Sequence, residues 1–197
     1  MDFPTLPQVL DTDDALKRVL ADVHLLTQEG EAADREAYLA QLRSQLTALR
    51  LDTRSPLAAA YDDVLTYLEF SLLPLLDPKE QTQLFQRHLL TGLTIDVDLK
   101  TQIELLFILY GFPAALAVRQ RLLHALLDNE ELVGSTSLTV GGSATPLPPS
   151  IKNWLVDFLG FGSNRGLPGA LEVANYVQQS ANIRLLRPEQ REQLRQV

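Results

Sequence analysis

Residues 55–80 read SPLAAAYDDVLTYLEFSLLPLLDPKE, and this stretch decides the fold class. Ser55 offers a hydroxyl to free backbone amides at a helix start, and Pro56 fits the first helical position because its missing N–H would go unpaired there anyway. Tyr61, Val64, Leu65, Leu68 and Leu72 then recur every three or four residues, which puts them on one helical face. Pro74 stops or kinks that helix, and Asp77-Pro78-Lys79-Glu80 opens the next with a cap, a proline and an acid at the third position. Two amphipathic helices joined by so short a link must lie against each other, so the reading begins as an antiparallel pair.

Upstream, Leu16, Val19, Leu20, Val23 and Leu26 predict a first helix, with Thr12 as N-cap and Gly30 as stop. Leu39, Leu42, Leu46 and Leu49 make the seam of a second, whose Arg35, Glu36 and Arg43 are expected to stay wet. Downstream, the helix begun at Asp77 runs to about Leu90, and Asp96 or Asp98 caps a fifth helix ending at Tyr110. Its run Ile103, Leu105, Leu106, Phe107, Ile108 and Leu109 is apolar nearly all round, which predicts a place in the middle of a bundle. Gly111-Phe112-Pro113 separates it from a sixth helix over Ala114–Leu127. The expected class is mainly α: an antiparallel multi-helix array with no repeat period.

Composition changes at Gly134, beyond which residues 135–149 carry no charge and many Ser, Thr, Gly and Pro. The chain is therefore divided into a helical domain (1–134), a β-hairpin or linker (135–149) and a small helical module (150–197). In the module, Ile151, Trp154, Leu155 and Phe158 share a helix face, a Gly-rich loop spans Gly160–Gly169, and Pro188 starts a last helix. The chain stops at Val197 in mid-pattern, which reads as a truncated or frayed end.

With 46% apolar and 21% charged residues, the 197-residue chain has the composition of a folded protein. It has no cysteine, which excludes disulfides, thiolate metal sites and a cysteine nucleophile. Met1-Asp2-Phe3-Pro4 lacks the basic and apolar regions of a secretory signal, so the cytoplasm is expected. Glu104, Gly111 and Pro113 interrupt Ile103–Val118, the stretch most like a membrane span, so it reads as core and no membrane partner is expected. Net charge is −8; residues 1–100 hold 17 acidic and nine basic side chains and the remainder eight of each, so the first half repels phosphate backbones.

Chemistry is sparse. His24, His88 and His124 fall on three different helices without metal-ligand spacing. Asp96 and Asp98 sit where acids meet a helix dipole, and Gly160, Gly162 and Gly166 lack the lysine and preceding strand of a phosphate loop. No catalytic residue, cofactor or metal is assigned, and the expected role is a non-enzymatic interaction or scaffold module. Its partner-binding residues are Trp154, with Phe158, Arg165 and Arg191, the other reading of Trp154 being an anchor that packs the C-terminal module. Two other readings stay open: a ligand site assembled from His88, His124, Glu104 and Asp128, and RNA or ribosome binding by Arg184, Arg187, Arg191 and Arg195.

Pro149-Ser150-Ile151-Lys152-Asn153-Trp154, then Tyr176, Ser180 and Asn182, and finally Glu189, Arg191 and Leu194, form a pattern P-x-I-x-x-W, S-x-N, E-x-R-x-x-L. This pattern resembles the C-terminal part of uncharacterised helical proteins of small-genome candidate-phyla bacteria. The resemblance covers the last fifty residues best and extends loosely to Leu73; it implies a shared fold, a bacterial source and no particular activity. In this chain the loop Phe161–Leu167 has no histidine, and Pro188 stands where an acid is more usual in that group.

Overall fold

The computed structural model describes residues 4–94, 99–140, 145–161 and 170–196. The fold is mainly α, as the pattern predicts, and is organised around α3 (Pro56–Ser71). Its start is as read: the Ser55 hydroxyl accepts the Ala58 N–H at 3.1 Å, with Pro56 at the first position. Tyr61, Val64 and Leu68 bury into a first core with α1 (Asp13–Glu29) and α2 (Ala32–Leu49), while Phe70 near its end turns into a second, larger core. The helix is thus covered on two sides, and Thr66 and Ser71, outside the predicted stripe, are buried as well.

The first core also takes in Leu6 and Leu10 from the leader. Thr12 accepts the Ala15 N–H at 3.2 Å, as its position predicts. On α2 the expectation for the arginines fails. Arg43 is half-buried and its guanidinium meets Glu69 at 2.6 Å and Glu80 at 3.4 Å, while Arg35 donates to the Ser71 carbonyl. The seam alone cannot show this, because all three partners lie 26 or more residues away in sequence.

A 3-10 turn at Leu73–Leu75 leads into α4 (Pro78–Arg87), where Asp77 and Glu80 form a reciprocal capping box. The predicted helix to Leu90 stops at Arg87, and a short α5 (Leu89–Thr94) follows. Gly92 of α5 lies against the Phe70 ring so closely that a Cβ would come within 2.4 Å of it.

Where two helices are predicted, one helical run, α6 (Leu99–Leu127), is found. The break at Gly111 survives as a bend: Gly111 has φ 65°, and Pro113 has no N–H for the carbonyl of Leu109. The Arg121 guanidinium lies 5.6 Å from the Tyr110 ring centre. Eleven residues of straight helix rise about 16 Å, more than the two side chains bridge, so the axis must turn between them. Both arms feed the second core, through Leu99 and Leu106 before the bend and Val118 and Ala125 after it. The caps expected at Asp96 and Asp98 lie outside the described residues.

The boundary placed at Gly134 falls inside the second core rather than between domains. Val133, Leu138, Ile151, Trp154, Tyr176, Ile183 and Leu186 pack in one cluster with Phe70, Leu73, Leu84 and Phe85. Two isolated antiparallel bridges, Leu132 to Ser150 and Leu138 to Leu147, tie the described parts of the uncharged connector, the latter with N–H···O distances of 2.8 and 2.9 Å. α7 (Ile151–Phe161) and α8 (Ala170–Gln179) follow, then a 3-10 turn at Ile183–Leu185 and α9 (Pro188–Gln196).

Candidate functional site

The residues assigned to partner binding do not form one exposed surface. Trp154 is 1% exposed, and its indole N–H donates to the Val133 carbonyl at 3.0 Å. It anchors the second core, as the packing alternative for this residue has it, and presents no face to a partner, which corrects its place among the partner-binding residues. Phe158 is half-buried, with its ring 5.1 Å from that of Tyr176. Arg191 is exposed but holds the start of α9 to the preceding turn, donating to the Leu186 and Arg184 carbonyls at 3.0 and 3.2 Å. Arg165 lies outside the described residues. Of the residues in the C-terminal pattern, Trp154, Tyr176, Ser180 and Asn182 are buried, whereas Glu189 and Arg191 are exposed.

Two polar clusters hold the second core together. Asn129, fully buried after α6, donates to the Phe85 carbonyl at 2.7 Å and the Glu131 carboxylate at 2.8 Å, and accepts the Glu131 N–H at 2.8 Å. Glu131 in turn accepts the Leu90 N–H, while the Asn129 and Glu131 carbonyls receive the first amides of α7. Asn182 clasps the backbone of Thr139 through both amide atoms. In the second cluster, Tyr176 donates to Asp157 at 2.7 Å, and burial beside that carboxylate raises the phenol well above its ordinary value. These groups satisfy one another and leave no nucleophile aimed at an open space.

The ligand site imagined from distant helices is not assembled. His24 and His124 are exposed on different helices, His88 ends α4, Glu104 pairs with Lys100, and Asp128 accepts from Gln86. Among the described residues no group of three His, Asp or Glu side chains could hold a metal ion. A groove of about 470 Å³ between α1 and α3 is lined by Leu20, Val23, His24, Ala60, Asp63, Val64 and Tyr67, without a catalytic pairing.

Among the described residues, α6 leaves five large apolar side chains exposed. Ile108 is 72%, Leu109 62% and Leu116 61% exposed, with Leu123 and Leu105 at 48% and 40%. Because both arms bury one face in the same core, these side chains point away from it. Summed over the two arms, these side chains expose about 500 Å² of largely apolar surface. The expectation that this helix lies in the middle of a bundle is therefore overturned. Its neighbours α3, α4, α7 and the Leu73–Leu75 turn cover part of its circumference. Five consecutive apolar residues, Leu105–Leu109, span a full helical turn, and that signal was present in the sequence; which part of the turn stays bare was not.

No protein-family model matches the chain, and comparisons with curated proteins and with solved structures find no match. No helix among the described residues is long and apolar enough to cross a membrane.

Proposed function

We propose that this protein is a non-enzymatic helical interaction module whose contact surface is the bare side of α6. The observation that carries the reading is the exposure of Ile108, Leu109 and Leu116 on a helix otherwise packed into the core. Burying these side chains in a complex is worth about 25 cal/mol per Å² before the costs of association. Trp154 serves the surface indirectly, by fixing α7 against α6.

The test compares proteins retained by the full chain with those retained by Ile108→Asp and by Leu116→Asp, after circular dichroism shows that both variants keep their helix content. The reading predicts a partner lost from both variants. An unchanged set of captured proteins overturns it.

A further inference from the structure

We infer that the crevice between α7, α8 and α9 is a binding site for a small carboxylate with an apolar body, a site separate from the α6 surface. α9 reads PEQREQLRQ and brings one aliphatic side chain, Leu194, to the space that α7 and α8 leave between them. A single leucine does not fill that space. A pocket of about 140 Å³ stays open against Trp154, Phe158, Tyr176, Val177 and Leu194, and Arg195 is the one charged residue lining it among the described residues. An apolar cavity of about 150 Å³ stays dry and accepts benzene, so this pocket takes one aromatic ring or a short alkyl chain.

The polar atoms of the aromatic walls are already paired. The Trp154 indole N–H donates to the Val133 carbonyl and the Tyr176 hydroxyl to Asp157, so both side chains turn carbon to the pocket. The polar contact falls to Arg195, which also lines an adjoining hollow of about 370 Å³ with Val173, Ala174, Val177 and Gln178. Its side chain is 65% exposed and meets Glu192 only at 3.8 Å, a weak contact one turn apart that a carboxylate bonded directly to the guanidinium displaces. Residues 150–197 hold six basic and four acidic side chains, so an anion meets no repelling field here, unlike at residues 1–100. The ligand that fits lays its apolar body in the smaller pocket and its carboxylate in the hollow beside Arg195.

Titration of the full chain with 3-phenylpropionate tests the site, read by the emission of Trp154, the only tryptophan, and by ligand-observed NMR, with 3-phenyl-1-propanol as the neutral counterpart. The acid is expected to bind saturably with a dissociation constant on the order of 0.1–1 mM, and the alcohol about five- to tenfold more weakly. Arg195→Gln, at an exposed position, is expected to bring the acid down to the affinity of the alcohol and to leave the alcohol unchanged. Val173→Trp, which fills the pocket from α8, is expected to abolish binding of both while circular dichroism shows the helix content kept. No saturable response to the acid up to about 10 mM overturns the site. Equal affinity for acid and alcohol, or an Arg195→Gln protein that binds the acid as tightly as the wild type, overturns the carboxylate assignment. Binding that survives Val173→Trp places the ligand elsewhere and overturns the pocket.

Discussion

Gly92→Ala should destabilise the protein although alanine favours a helix, and Phe70→Leu should reverse most of the damage. A Cβ at position 92 would stand 2.4 Å from Cε2 and Cζ of Phe70 and 2.9 Å from Cε1. The ring must therefore retreat by about 1 Å to reach ordinary contact, yet it is fully buried and packs edge-on against Phe85 at 6.0 Å. Overpacking of this kind costs about 1–3 kcal/mol, and the helix propensity of alanine offsets up to about 1 kcal/mol, leaving a net loss of up to about 2 kcal/mol. Phe70→Leu alone should lose about 1–3 kcal/mol to the space it leaves. In the double variant the new methyl enters that space, so the two losses should fall short of their sum by at least about 1 kcal/mol. Urea unfolding followed by far-ultraviolet circular dichroism and by the fluorescence of Trp154, the only tryptophan, measures all four corners. Additivity within about 0.5 kcal/mol would refute the packing argument.

Asn129→Ala should cost about 2–4 kcal/mol, because it strands the buried Phe85 carbonyl and Glu131 amide; Asn129→Asp should do no better near neutral pH, since it sets a carboxylate against an acceptor, and chemical denaturation checks both. Thr12→Ala and Ser55→Ala should each lose about 1 kcal/mol of cap energy in the same assay, with Gln28→Ala on the exposed side of α1 as a near-neutral control. Burial raises the phenols of Tyr38, Tyr61 and Tyr176 above their ordinary value of 10.0, with the Asp22 carboxylate adding to the effect at Tyr38 and Asp157 at Tyr176. The stability they contribute is complete below about pH 10 and is lost as pH climbs past it, so their phenolate absorbance should appear together with unfolding. Ionisation of all five tyrosines while the helical signal persists would contradict that burial.

What the sequence made legible was local. The caps at Thr12, Ser55 and Asp77 depend on residues two or three positions away, and the structure keeps all three. The bend at Gly111 was legible for the same reason, since glycine and proline act on their own backbone. The failures all turn on distant partners. Arg43 was read as wet because Glu69 and Glu80 come from other helices, and Gly134 was read as a boundary because composition cannot show Leu186 packed against it. The exposure that partner binding by Trp154 requires fails for a related reason. Trp154 has the side chain of a recognition anchor, and the same properties suit it to the core, where the Val133 carbonyl takes its N–H. The apolar run on α6 was visible, but a helix apolar all round is buried only if neighbours surround it, and their number is fixed by the tertiary fold.

The most direct test of the bare α6 surface is side-chain footprinting by hydroxyl radicals, reading Leu105, Ile108, Leu109 and Leu116 at 1 and 200 μM protein and in cell extract. Leu20 and Leu75, exposed on other parts of the chain, serve as internal controls. The account predicts that labelling of the α6 residues falls several-fold at high concentration or in extract while the controls keep theirs. Equal labelling of α6 under every condition would contradict it.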